Sequence, residues 1–246
     1  MKSRDEKRTG QKRTGLARVL SKLGYCSRTE AAELIRAGRV SLNGEARFDP
    51  ETPVRMGADR VAVDGRDVAA AEKIYWMMNK PPGIVTTADD ERGRETVYSL
   101  LPPDAPWMGP VGRLDRASEG LLLLTNDTEW AARITAPESH VEKTYHVQIG
   151  RVPDAALLAR LEAGVTDAGE LLKARRAVLL RSGEKNGWLE IVLDEGKNRQ
   201  IRRMLEVCGI ETLRLVRVAI GNLPLGDLPK GGTRELTDAE RRLLTP

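Results

Sequence analysis

Apolar positions change their spacing several times along the chain, and each change marks an element. Leu16, Val19, Leu20 and Leu23 recur at helical spacing before Gly24, as do Ala31, Leu34 and Ile35 before Gly38. With Thr14 and Ser27 as N-caps and the glycines as stops, this spacing predicts two short helices. Alternation then replaces the helical period. Arg39 to Leu42 runs into Asn43-Gly44, and Arg60 to Val63 into Asp64-Gly65; both dipeptides suit tight turns, so two strands follow the helices. Residues 14–66 read as a compact αβ module. Residues 67–73, with Ala69-Ala70-Ala71, follow neither period and read as a linker.

Residues 74–246 mix strands and helices. Ile74 to Asn79 predicts a buried strand stopped by Lys80-Pro81-Pro82-Gly83, since paired prolines cannot continue a ladder. After a polar loop from Thr86 to Arg94 and a helix or turn near Val97 to Leu101, a strand leads into a charged segment around Asp115. Leu121 to Thr125 is the next strand, and Asp127 or Thr128 caps a helix through Trp130, Ala131 and Ile134. Val141 to Ile149 alternates and places Tyr145 with Val147. A helix from Pro153 to Ala163, stopped by Gly164, is followed by short strands to Leu180 and by Trp188 to Leu193. Asn198 is a candidate cap for a helix with Ile201, Met204, Leu205 and Cys208 on its buried stripe, and Thr212 to Gly221 reads as sheet and scaffold. No βαβ repeat emerges. The pattern predicts an α+β class: a small αβ module joined to a larger domain whose mixed, mainly antiparallel sheet is flanked by helices.

Charge changes the picture at one end. Residues 1–13 hold six basic and two acidic side chains, and residues 14–66 hold nine and seven; 25 basic and 27 acidic remain for the other 180 residues. Such a basic end suits a polyanion, with counterion release supplying affinity. Apart from Met1, residues 1–13 carry no large apolar side chain, so a disordered basic tail is expected there. Two cysteines and two histidines offer neither a disulfide framework nor zinc spacing, so no metal site is expected. The chain has neither a membrane-length apolar run nor a signal-peptide core, which predicts a cytoplasmic location without membrane attachment. It also lacks GxGxxG and GxxxxGK[ST], so the glycine loops of dinucleotide and nucleotide binding are missing. No cofactor is expected.

The segment Gly109-Pro110-Val111-Gly112-Arg113-Leu114-Asp115-Arg116-Ala117-Ser118-Glu119-Gly120, running into Leu121-Leu122-Leu123-Leu124, places Arg113, Asp115, Arg116 and Glu119 in a loop between two apolar strands. Scaffolds often present functional groups in such loops. Three further blocks accompany it: Asn79-Lys80-Pro81-Pro82-Gly83, Glu142-Lys143-Thr144-Tyr145-His146-Val147, and Glu195-Gly196-Lys197-Asn198-Arg199-Gln200-Ile201-Arg202-Arg203-Met204. Together and in this order they resemble the motifs of ribosomal-RNA pseudouridine synthases of the RsuA/RluB/RluE/RluF type. Ser27-Arg28, Ala31-Ala32 and Ile35-Arg36-Ala37-Gly38-Arg39-Val40 resemble the S-four RNA-binding module that precedes the catalytic domain in that family.

The resemblance implies isomerisation of a specific uridine to pseudouridine, by glycosidic cleavage, rotation of the uracil and religation through a ring carbon. Asp115 then matches the catalytic aspartate, attacking the anomeric carbon or abstracting a ribose proton. Tyr145 matches the active-site tyrosine that stacks on uracil, and Arg202 the basic residue expected to pair with Asp115. Arg18, Lys22, Arg28, Arg36 and Arg39 are assigned to RNA binding by the module, Arg113 is assigned to RNA binding as well, and Lys197, Arg199 and Arg203 are better placed for phosphates. Trp76, Tyr98 and Trp107 could stack, but with so few aromatics in the chain they are expected in the core. The expected partner is ribosomal RNA, at a loop or bulge in a structured precursor, and a monomer is the simplest form. Two rivals are a non-catalytic RNA-binding or ribosome-assembly protein and a metal nuclease built on Asp89, Asp90 and Glu91.

Overall fold

The computed structural model describes residues 13–87 and 90–244. The expected disordered tail falls largely outside them, as does Asp89. The chain divides into two compact units between Lys73 and Ile74.

In the first unit, β1 (Thr14–Gly15) leads into α1 (Leu16–Lys22) and α2 (Arg28–Arg36). Ser27 caps α2 as expected, its Oγ accepting from the Glu30 N–H at 3.1 Å. The expected Thr14 cap is not made: Gly15 occupies the N-cap without a side-chain bond, because Thr14 is drawn into pairing with Val54 of β4 (Pro53–Val54). A four-stranded sheet completes the unit, in the order β3 (Glu45–Arg47), β2 (Val40–Leu42), β5 (Val61–Val63), β6 (Arg66–Asp67). Asn43-Gly44 and Asp64-Gly65 turn with positive φ at both residues, as the dipeptides predict. The segment read as a linker is partly structured: Asp67 pairs with Ala62, Val68 packs on the core, and the Ala71 N–H bonds to the Leu23 carbonyl at 2.7 Å. That core joins Leu16, Leu20 and Ile35 to Val40, Val54 and Val61.

The second unit is built on a nine-stranded sheet. Its elements are β7 (Tyr75–Lys80), β8 (Gly109–Val111), β9 (Glu119–Thr125), α3 (Thr128–Thr135), β10 (Lys143–Ile149), α4 (Ala155–Ala163), β11 (Val165–Asp167), β12 (Glu170–Leu172), β13 (Arg176–Ser182), β14 (Gly187–Leu193), α5 (Gln200–Val207), β15 (Thr212–Ile220), β16 (Leu223–Pro224), β17 (Thr233–Glu235) and α6 (Asp238–Arg242). The sheet order is β13-β14-β10-β15-β9-β7-β17, with β16 on β15 and β8 on β9, while β11 and β12 form a separate hairpin. Every pairing is antiparallel except β15 with β9. The fold is α+β.

The unbroken Leu121–Leu124 run reflects burial on both faces of β9. Leu121 and Leu123 pack against Trp130 and Ile134, whereas Leu122 and Leu124 pack against Ile84, Met108 and Leu114. On β10 and β14, Val147, Ile149, Leu189 and Ile191 lie under Leu157 and Leu161 of α4 and Ile201, Met204 and Leu205 of α5. This places the start of α5 beside the end of the sheet that carries the charged loop. Asp127 caps α3 with bonds from Glu129 and Trp130, but the Asn198 cap is not made, because Arg199 takes the N-cap with φ 48° and bonds nothing there through its side chain.

Candidate active site

The loop from Gly112 to Ser118, between β8 and β9, carries Asp115. It turns back on itself through a bond from the Ser118 N–H to the Asp115 carbonyl at 3.0 Å. A second segment clamps it. Lys80 ends β7 with a side chain that is 0% exposed, and its ammonium donates to the carbonyls of Pro81 (3.0 Å), Asp115 (3.2 Å) and Ser118 (2.9 Å). Burial pushes the Lys80 pKa down to about 8 against the opposing pull of Asp115 and Glu119. The Gly83 N–H bonds the Arg116 carbonyl at 2.7 Å, and the Thr86 hydroxyl bonds the Leu114 carbonyl at 2.8 Å. The proline-rich turn thus fixes the backbone on both sides of Asp115.

Glu119, expected in this loop, belongs to β9 instead and is buried, held by Arg214 at 3.0 Å and Lys230 at 2.7 Å. Burial alone would raise its pKa, but these hydrogen bonds bring it below the ordinary value. Gly120 follows with φ 101°, and a Cβ there would lie 2.2 Å from the Arg217 carbonyl. Only glycine permits the close parallel approach of β9 and β15.

Asp115, Tyr145 and Arg202 line one cavity of about 420 Å³, a size suited to a base and part of its sugar. Tyr145 stands on β10 between Ile191 and Arg217, part-buried against the cores on either side. The side chain that pairs with Asp115 is Arg199, at 3.8 Å, with both groups partly exposed. Arg202 instead bonds the Ala117 carbonyl at 3.2 Å, and its Nε is buried without an acceptor. Burial, then the charge of Arg199, lowers its pKa, while Asp115 opposes this. The expected direct Arg202–Asp115 ion pair is therefore replaced by a contact two residues further along the same loop.

The other assigned basic residues separate into groups. Arg113 is exposed at the cavity lining. Arg203 is taken up by Asp167 at 2.5 Å and Glu170 at 2.8 Å, and Lys197 by the Leu171 carbonyl and Glu195, so both brace the β11–β12 hairpin and the strand-to-helix turn rather than stand open to phosphate. In the first unit, Arg18, Arg28 and Arg36 are exposed and Lys22 is half-buried, whereas Arg39 is paired with Asp64 at 2.5 Å. Trp76 and Tyr98 pack into the core cluster of Met78, Met108 and Leu122, with Tyr98 Oη donating to the Met108 carbonyl. Asp90 is tied to Arg94 at 2.5 Å, and no metal-holding group of His, Cys, Asp or Glu occurs among the described residues. No helix among the described residues is long and apolar enough to cross a membrane.

The sequence reading missed three residues here: Lys80, Lys143 and Arg217. Arg217 carried a signal, since it lies two residues after Leu215 on a strand whose inward positions are otherwise apolar. With Lys143 and Arg217 included, the lining holds six basic side chains (Arg113, Lys143, Lys197, Arg199, Arg202, Arg217) against two acidic ones (Asp115, Glu195). It is a predominantly cationic pocket, fit to receive a polyanion and to present Asp115 to it.

Residues 74–207 match the RNA pseudouridylate synthase family, and residues 14–61 match the S4 domain. The chain is 35% identical over 231 residues to the ribosomal large subunit pseudouridine synthase B of Bacillus subtilis, covering 93% of this chain and 94% of that protein. Its identity to the protein of the same name from Shigella flexneri is 37% over 239 residues, covering 93% and 81%. A solved pseudouridylate synthase superposes with a TM-score of 0.67 at 30% identity, covering 94% of this chain and all of that one.

Proposed function

Because the chain belongs to the RNA pseudouridylate synthases, enzymes that isomerise uridine in RNA, we propose that its substrate is one uridine of ribosomal RNA and that Asp115 performs the chemistry. The observation that carries this reading is the meeting of Asp115, Tyr145 and Arg202, from three distant segments, in one cationic cavity.

The N1–C1′ bond of the uridine breaks, the uracil turns within the pocket, and C5 rejoins C1′. Asp115 attacks C1′ or takes the proton from C2′, and either route divides one difficult step into easier ones. The clamp made by Lys80 fixes the backbone of Asp115, so the carboxylate is positioned before substrate arrives. Arg199 lies 3.8 Å from the carboxylate as its cationic neighbour, and Arg202 steadies the loop at Ala117. Tyr145 stacks on the uracil and accepts the proton displaced from C5. A uridine inside a duplex cannot reach this pocket, so the target lies in a loop or bulge from which it is extruded. Arg18, Lys22, Arg28 and Arg36 contact the surrounding RNA phosphates. The enzyme acts as a cytoplasmic monomer.

Mapping pseudouridines in both ribosomal RNAs tests this reading, using cells that carry the gene, lack it, or carry only Asp115→Asn. The expected result is one position, or a small cluster, lost equally in the last two strains. Identical maps in all three strains refute it.

A further inference from the structure

Arg217 is 5% exposed and lines the same cavity as Asp115. Its Nε donates to the Leu121 carbonyl at 2.7 Å, while its Nη2 is buried without an acceptor, and among the described residues no carboxylate pairs with it. This contrasts with Arg214 on the same strand, which Glu119 neutralises. A buried cation without a counter-ion is costly, and buried polar groups are nearly always satisfied. Lys143 adds to the cost: it lines the same cavity, and burial, then the charge of Arg217, lowers its pKa against the opposing pull of Asp194. Two like charges held together by a fold suggest that a bound anion completes the site.

The position of Arg217 identifies that anion. Arg217 lies opposite Tyr145 in the sheet register, beside the side chain proposed to stack on the base, whereas Arg113 and Arg199 are exposed and better placed for phosphodiesters. Uracil enters neutral. When the N1–C1′ bond breaks, its electron pair leaves with N1 and the charge spreads to O2 and O4. Meanwhile C1′ bonds to the Asp115 carboxylate, or the C2′ proton moves to that carboxylate as a C1′=C2′ bond forms. Neither route needs an oxidant or a further reactant.

We propose that Arg217, with Lys143 beside it, holds the detached uracil as an anion and stabilises the charge that develops on it as the glycosidic bond breaks. The inference rests on the proposed reaction and adds the group that receives the leaving base. Such an interaction exists fully only once the bond is breaking, so it acts on kcat rather than on substrate binding.

The test measures single-turnover consumption of the target nucleoside by wild type, Arg217→Met, Arg217→Lys and Lys143→Met on the same RNA carrying either uridine or 5-fluorouridine, with steady-state rates on uridine alone, because C5 of 5-fluorouridine has no proton to lose. Fluorine makes the base a better leaving group. Arg217→Met is expected to lower kcat on uridine by about 10²–10³-fold, with KM nearly unchanged and a clearly smaller loss on 5-fluorouridine. Arg217→Lys recovers part of the rate. If Arg217→Met does not fold, Lys143→Met gives the same reading through a smaller uridine-selective loss. Equal losses on both substrates, a change in KM alone, or no loss overturns the inference while leaving the proposed function intact. A wild type that forms no pseudouridine overturns both.

Discussion

Replacing Lys80 with methionine tests whether the site depends on its clamp. The substitution keeps most of the side-chain volume and removes a fully buried ammonium bonded to three carbonyls within 3.2 Å. Two effects oppose each other. Burial lowers the lysine from 10.5 to about 8, so removing the charge recovers about 3.4 kcal/mol at neutral pH, at ~1.36 kcal/mol per unit. Against this, three charge-assisted bonds at about 1.5–3 kcal/mol each are lost, about 4.5–9 kcal/mol together, and the carbonyls remain buried. The net expectation is a loss of about 3 kcal/mol, which lowers Tm by roughly 6–12 °C for a domain of this size. Because the Asp115 carbonyl is one of the acceptors, the carboxylate also loses its fixed position, and a displacement near 1 Å costs about 10²-fold in kcat. The pH dependence provides an independent check. Below about pH 8 the ammonium is present in both folded and unfolded chains, so the full cost of burying it weighs on the folded state. That cost falls as pH rises toward 10.5, so this group makes stability rise through the window. The neutral amine has one donor fewer, so activity falls above about pH 8 while the contribution to stability improves. Thermal unfolding and single-turnover kinetics from pH 6 to 10 measure both. A Lys80→Met protein that melts within about 2 °C of wild type and keeps kcat within about twofold refutes the clamp.

Further predictions follow from other contacts. Gly120→Ala forces a Cβ to within 2.2 Å of the Arg217 carbonyl at φ 101°, so it should cost more than about 3 kcal/mol or prevent folding; wild-type-like denaturant unfolding contradicts this. Arg203→Ala breaks the ties to Asp167 and Glu170 and should lower stability by about 1–3 kcal/mol with an unchanged salt dependence of RNA binding. Arg36→Ala should do the reverse, leaving Tm unchanged and reducing the slope of log K against log salt by about one. Arg234 holds Glu240 down at about 2, so its contribution is fully present above pH 4.5 and is lost as pH falls toward 2. Glu240→Gln should remove that acid-labile part of the stability curve.

Local rules predicted the elements they govern. Asn43-Gly44 turned as its chemistry demands, Ser27 capped its helix, and the apolar Leu121–Leu124 run marked a doubly covered strand. They failed where distant partners decide. Thr14 was drawn from its cap by β4, and Arg199 rather than Asn198 took the N-cap of α5. Glu119 read as a loop residue because the two cations that allow its burial in a strand, Arg214 and Lys230, lie 95 and 111 residues away. Asp115, Tyr145 and Arg202 were singled out by motif resemblance, and all three line one cavity. The same resemblance did not predict that Arg199, rather than Arg202, makes the ion pair, since that depends on how α5 turns over the loop. Lys80 and Arg217 were hidden because their significance lies in what surrounds them: carbonyls for one, an unfilled donor for the other.

Asp115 does the chemistry in a pocket that binds RNA without its help. The measurement is pseudouridine formation in ribosomal RNA transcripts by purified wild type and Asp115→Asn, with binding of the same transcript recorded alongside. Asn keeps the shape of the side chain, and the Lys80 clamp engages only the Asp115 backbone, so the loop and the RNA affinity should persist within a few-fold. Pseudouridine is expected from the wild type, with a loss of at least ~10²-fold in the variant. An Asp115→Asn protein that forms pseudouridine at the wild-type rate contradicts it.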